Sequence, residues 1–210
     1  MAREMIDVRR DAPVVDDLPA SQRARRDRIV ETAVALLGTD DYDKIHMRMV
    51  ADRAGVALGT LYRYFPSKER LFATALIRWA ETFEHSYERS IRSAETDPVA
   101  RLRRTLGVAL KGFERDPRFF GLMIALQSSD DPEVAGLFET FTGTTSRVVR
   151  DALEGIDEQW LEPIETLVWA ALFNLLRGWS LGSYSMAEAR RRLDACVDVI
   201  FGSPLGGAPS

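Results

Sequence analysis

Between Arg48 and Lys68 the chain gathers groups suited to phosphates and base edges. The hydroxyls of Thr60, Tyr62 and Tyr64 and the ammonium of Lys68 can each donate to a phosphate oxygen. Gly59 and Thr60 are small enough to come close to a base edge or a thymine methyl. The Arg48 guanidinium suits either a phosphate or the acceptor pair of a guanine, and a bidentate guanine contact carries roughly 1–3 kcal/mol of discrimination. Each residue also has a plainer reading. Tyr62 and Tyr64 can pack a small core as amphipathic aromatics, and Lys68 can sit solvated near a helix start. The chemistry needs one surface that presents the groups together.

The surrounding pattern predicts such a surface. Met47, Val50, Ala51 and Ala54 recur at helical spacing and stop at Gly55, a residue that readily takes the left-handed backbone ending a helix. A second short pattern, Val56, Leu61 and Phe65, ends at Pro66. Two short helices around a glycine turn describe a helix-turn-helix, whose second helix can lie in the major groove of DNA. Leu58, Gly59, Thr60, Tyr62 and Tyr64 are expected on the outward and N-terminal surface of that second helix. His46 and Ala57 are expected at the two helix starts.

The rest of the chain reads as helix, with almost no alternating strand pattern. The first helix is expected over 21–37, with Arg23, Arg25, Arg26 and Arg28 outward, and 38–44 form a turn from which Tyr42 packs down. Ser67 caps a long fourth helix reaching toward Ala94, with Leu71, Phe72, Ala75, Trp79 and Phe83 along one side. Asp97-Pro98, Asp116-Pro117 and Asp131-Pro132 each place a capping acid before a proline suited to the first helical position. Helices over 158–181 and 186–201 complete an all-α chain of about nine helices. The organisation predicted is a flexible extension (1–20), a helix-turn-helix domain (21–75), a ligand-binding and dimerisation domain (76–202) and a flexible tail (203–210), with the two domains joined through the fourth helix.

The segment V-A-D-R-A-G-V-A-L-G-T-L-Y-R-Y-F-P-S-K-E-R-L closely resembles the DNA-binding signature of the TetR family of transcriptional repressors. That resemblance implies a homodimer reading a palindromic operator, released from it when the body binds a small molecule. Two positions depart from the family pattern. His46 stands where a threonine often caps the helix and touches phosphate, and Ala57 where a serine commonly caps the recognition helix. The M-R-M-V-A-D-R-A segment, V-W-A-A-L-F-N-L-L and R-R-R-L-D-A-C-V-D-V-I-F-G are also similar to the actinobacterial repressors of cholesterol catabolism. This second resemblance implies a steroid or fatty acyl thioester as effector.

Independently of any family, the body is rich in aromatics. Phe113, Phe119, Phe120, Met123, Phe138, Phe141, Trp169 and Phe173 are candidates to line a cavity, with ordinary core as the alternative for each. Gln127 and Asn174 interrupt apolar runs and suit a hydrogen bond to a ligand or between helices. The helix over 158–181 is apolar around much of its circumference, so it is expected to be buried on more than one side. Val168, Leu172, Leu175 and Trp179 on it, with Leu193, Cys196, Val197 and Ile200 on the last helix, are the expected dimer face.

Composition narrows the classes. The net charge of −4 hides a head, Arg23 to Ala75, with ten Lys/Arg against seven Asp/Glu. A single cysteine leaves no internal disulfide. The chain lacks an apolar run long enough for a membrane span, and no secretion signal opens it; a cytoplasmic location is expected. Phosphate-binding glycine loops and a Gly-x-Ser-x-Gly turn are missing from the sequence. Its two histidines, His46 and His85, do not suffice for a paired di-metal site, and Glu81, Glu84 and His85 are expected to be solvated. The chain is therefore expected to be no enzyme and to need no cofactor or metal. The competing class is a helical carrier or enzyme whose head only packs or docks a protein.

Overall fold

The computed structural model describes residues 19–91 and 97–202, with side chains described from Pro19 to Thr82 and from Asp97 to Gly202. The expected extension before Pro19, the tail 203–210, and the side chains of Phe83, Glu84 and His85 lie outside the described residues.

Among the described residues there are nine α-helices, one short 3-10 turn and no strand. Helix α1 (Ala20–Leu37) buries Ile29, Val30, Ala33, Leu36 and Leu37, an i, i+4, i+7 stripe that faces one side of a helix. The 3-10 turn Tyr42–Lys44 leads into α2 (Met47–Ala54) and α3 (Leu58–Tyr64). Gly55 ends α2 at φ 66° and ψ 40°, and the N–H of Val56 reaches back to the Ala51 carbonyl at 3.0 Å. A side chain at φ 66° would be strained, so glycine sets the sharp turn between the two helices.

Helix α4 (Lys68–Ile91) begins where Ser67 Oγ accepts the Arg70 N–H at 3.1 Å, the expected cap. It packs on α1, α5 (Pro98–Arg115), α6 (Arg118–Gln127) and α7 (Pro132–Ala152). Its buried stripe, Leu71, Phe72, Ala75, Leu76 and Trp79, belongs to one continuous core that runs from α1 to α9. Helices α8 (Glu158–Ser180) and α9 (Met186–Ile200) pair along their lengths.

The three Asp-Pro pairs behave differently. Asp97 accepts from the backbone of Val99 and Ala100, and Asp131 accepts from Glu133, each ahead of a proline in the first turn. Asp116 does not cap α6. Its carboxylate instead accepts Trp79 Nε1 at 2.9 Å and Arg115 Nε at 2.8 Å. A buried indole N–H needs an acceptor, and that need outweighs a solvent-side cap. Helix α7 stops at Ala152, where Arg101 Nε donates to the Ala152 carbonyl at 3.0 Å.

Candidate nucleic-acid interface and ligand cavity

The α2–α3 pair packs through Met47, Val50, Ala51, Ala54, Leu61, Tyr64 and Phe65, all buried. Outside lie Arg48, Leu58, Gly59 and Tyr62, with Thr60 half-buried beside them, alongside exposed Met49, Asp52, Arg53 and Arg63. Tyr62 is 45% exposed. Arg48 has no hydrogen-bond or ion-pair partner among the described residues, so its guanidinium is free for an external acceptor. Nothing stands within 4 Å of a Cβ built on Gly59. Packing therefore does not require glycine there; the space it leaves open is on the outer surface.

Two predicted phosphate donors are placed elsewhere. Tyr64 is only 4% exposed, and its hydroxyl is buried with no partner among the described residues. One position separates exposed Tyr62 from position 63, and two carry the ring round to the core face. Lys68 donates Nζ to the Tyr42 carbonyl at 2.6 Å and lies 4.0 Å over the Tyr42 ring. Burial pushes its ammonium below the ordinary lysine pKa and the Tyr42 phenol up to about 12. Tyr42 also meets Phe72 edge-on at 5.3 Å, the packing expected of it. Tyr64 and Lys68 thus hold the bundle together, and both positions are corrected from the outer surface to its frame.

His46 and Ala57 occupy the starts of α2 and α3 in extended backbone, both exposed, and neither side chain caps its helix. Two of the arginines expected outward on α1 are engaged. Arg28 donates Nε to the Ala54 carbonyl at 3.0 Å, closing the end of α2. Arg26 lies 5.0 Å over the Phe65 ring, where desolvation lowers its pKa. The sequence reading passed over Arg53 and Arg63, which are both exposed at the ends of α2 and α3. Their signal was a cation in the last turn of each predicted helix.

Deeper in the chain, α4 to α8 line a partly open cavity of about 470 Å³. Of the residues expected to line it, Phe113, Met123, Gln127, Phe138, Phe141, Trp169 and Phe173 do so. Phe119, Phe120 and Asn174 do not. Phe119 stacks on Trp79 at 4.5 Å and 7°, Phe120 meets the Phe113 ring edge-on at 5.9 Å, and Asn174 is exposed on α8. The sequence reading missed Trp79 and the hydroxyl residues Thr105, Thr142, Thr144, Thr145, Ser146 and Thr166 on the wall.

Helix α8 is apolar on two sides: Trp169 and Phe173 face the cavity as expected, but most residues expected at the dimer face point into the chain. Val168, Leu172, Leu175, Leu193 and Val197, expected between subunits, are buried within the chain. Trp179, Cys196 and Ile200 are half-buried. The outward apolar residues are Trp160, Leu167 (54% exposed) and, on α9, Val199 (57% exposed). On a helix apolar over so much of its circumference, spacing alone does not tell an inward stripe from an outward one, which is why the outward positions Leu167 and Trp160 were not singled out.

Two ion pairs tie the N-terminal bundle to the cavity helices. Arg70 on α4 grips Asp131, the cap of α7, through both forks at 2.8 and 3.1 Å. Arg118 on α6 donates to Asp41 at 3.2 Å and to the Gly38 carbonyl at 3.1 Å. Among the described residues no group of three His, Cys, Asp or Glu side chains could hold a metal ion, and no helix is long and apolar enough to cross a membrane.

Comparison with known proteins places these features in context. Residues 29–75 match the family described as bacterial regulatory proteins, tetR family. The HTH-type transcriptional repressor KstR of Mycolicibacterium smegmatis is 32% identical over 187 residues, which is 87% of this chain and 90% of that protein. Among solved structures, a TetR transcriptional regulator from Rhodococcus sp. RHA1 aligns with a TM-score of 0.70 at 25% identity, covering 88% of this chain and 99% of that one. Thermus thermophilus FadR, a TetR family transcriptional repressor in complex with lauroyl-CoA, shares the fold with a TM-score of 0.69 at 18% identity, covering 88% and 98%.

Proposed function

Since the chain belongs to the TetR family of transcriptional regulators, we propose that it is a ligand-responsive repressor that binds a palindromic operator as a homodimer. The observation that carries this reading is the outer face of α2 and α3. Unpartnered Arg48 and exposed Tyr62 flank the small residues Gly59 and Thr60 on a surface that the core does not use. In a dimer, two such faces about one DNA turn apart, roughly 34 Å, would enter successive major grooves. The outward Leu167 and Val199 on α8 and α9 supply the apolar face for the second copy. The boundary between the DNA-binding and ligand-binding domains falls within α4, near Ala75.

The effector is an apolar molecule in the cavity of α4 to α8. A steroid or a fatty acyl thioester is the first class to try, on the resemblance to cholesterol-catabolism repressors and on the lauroyl-CoA bound by a protein of the same fold. Because α4 contributes to both the bundle and the cavity wall, an occupant that moves α4 changes the spacing of the two reading faces. The test is a titration against a duplex from the region upstream of the chain's own gene. Affinity should fall steeply with rising salt, as phosphate contacts require, and should fall further when a ligand raises the melting temperature. Equal affinity for any duplex at every salt would favour the carrier reading.

A further inference from the structure

We propose that the cavity selects an uncharged carbonyl compound, an apolar skeleton bearing a ketone, ester or thioester oxygen, and that Trp169 Nε1 donates to that oxygen. This rests on reading the cavity as the effector site and adds the chemistry of what fills it.

Trp169 lines the cavity from α8, and its Nε1 is buried with no partner among the described residues. An indole N–H only donates, and a buried donor left unpaired is costly enough to need an explanation. The fold does satisfy the other indole on this wall, since Trp79 Nε1 is held by Asp116 at 2.9 Å. The hydroxyls around Trp169 do not accept the role. Thr105, Thr142, Thr144 and Thr145 each donate to a carbonyl of their own helix, at 2.9 to 3.1 Å. Gln127 and Thr166 are exposed and Ser146 is only half-buried, so their hydrogen bonds can be made at the solvent side. Trp169 Nε1 is the fully buried unpaired donor on this wall, the one a ligand oxygen is left to meet.

The ligand's charge follows from the same wall. Among the described residues that line it, none is ionisable. Arg150, next to lining Val149, has both forks on Glu165 at 2.7 and 3.1 Å, so it is committed. A carboxylate drawn into this space would lose its hydration without gaining a cation. A neutral carbonyl keeps the hydrogen bond and avoids that cost. A free ester or ketone, and a thioester whose charged carrier stays in solvent, present the same group.

The experiment uses the full chain without DNA and reads the thermal shift during titration. The probes are methyl dodecanoate, dodecanoate, lauroyl-CoA and 1-chlorododecane, compared in wild type and Trp169→Phe. Methyl dodecanoate should bind at least about ten-fold more tightly than dodecanoate. Trp169→Phe should weaken the ester about three- to ten-fold more than it weakens 1-chlorododecane, the range of one hydrogen bond, with the chloroalkane reporting the loss of ring contact alone. Lauroyl-CoA binding that shares the loss identifies a thioester as the source. Its failure beside a bound ester identifies an uncharged free compound. The proposal is overturned if the ester binds no better than dodecanoate, or if the variant binds it as wild type does. A chain that binds the ester here, yet keeps its operator duplex when the same ester is added in a separate anisotropy titration, would contradict the repressor reading alone.

Discussion

Trp79 Nε1 donates to the Asp116 carboxylate at 2.9 Å while its ring stacks on Phe119. Trp79 lies on α4, one helix on from α3, and also lines the cavity; Asp116 forms the corner between α5 and α6. The pair therefore fixes α4 against the cavity wall at the place where an occupant would press. Trp79→Phe keeps a ring on Phe119 and removes the donor. Affinity for operator DNA should stay within about two-fold, while release by ligand should weaken by a large part of the ~1–3 kcal/mol typical of such coupling. Fluorescence anisotropy with and without methyl dodecanoate measures both quantities. Unchanged coupling would contradict this role.

Tyr62 and Tyr64 make a paired test of the two faces of α3. Tyr62→Phe removes an exposed hydroxyl and should weaken DNA binding about three- to ten-fold, as expected for one phosphate hydrogen bond. Tyr64→Phe removes a buried hydroxyl that has no partner among the described residues. It should leave DNA binding unchanged and hold or raise the melting temperature, because no hydrogen bond is lost. Loss of DNA binding in Tyr64→Phe would put its hydroxyl back at the phosphate.

The outward face of α8 and α9 predicts which substitutions separate subunits without unfolding them. Leu167→Arg and Val199→Arg place charge on exposed positions and should give a folded monomer by sedimentation. Leu172→Arg places an unpaired charge where the side chain is 2% exposed, and should lose the fold itself, since such burial costs several kcal/mol. A dimer that survives both outward changes would move the interface elsewhere.

The Arg70–Asp131 pair gives a pH dependence with a definite sign. The Arg70 hydrogen bond, followed by the Glu133 N–H, holds the Asp131 carboxyl below its ordinary pKa against desolvation. A folded pKa below the unfolded one means that the pair stabilises the fold above the ordinary carboxylate range. That increment is lost as pH falls through the lowered folded value. Asp131→Asn should lower stability at pH 7 by about 1 kcal/mol, or roughly 2–4 °C in melting temperature. The gap from wild type should narrow below about pH 4.

Periodicity and breakers made the helices legible, and Gly55, Ser67, Asp97 and Asp131 act as their residue types suggest. The segment around Thr60 was legible because short helices with few apolar positions leave little choice of inward face. Tyr64 follows its spacing to Leu61, three positions earlier on the buried side, and not the polarity of its hydroxyl. The cavity aromatics were readable as a class, yet Phe119 and Phe120 could not be told from Phe113 by composition. All three are buried, and only the path of α6 decides which ones face the space. Asp116 capturing Trp79, and the threonines on the wall, depend on tertiary contacts that no local pattern encodes.

The most direct test of the account is the affinity of wild type and Arg48→Ala for two duplexes, one from the region upstream of the gene and one of scrambled sequence, by anisotropy at fixed salt. The account predicts that wild type prefers the upstream duplex by about a thousand-fold or more, the lower range for specific over non-specific DNA. Arg48→Ala should lose about five- to one-hundred-fold on that duplex, as expected for removing a guanine or phosphate clamp, while remaining dimeric. Equal, weak binding of both duplexes by wild type, or an Arg48→Ala affinity matching wild type, would contradict it.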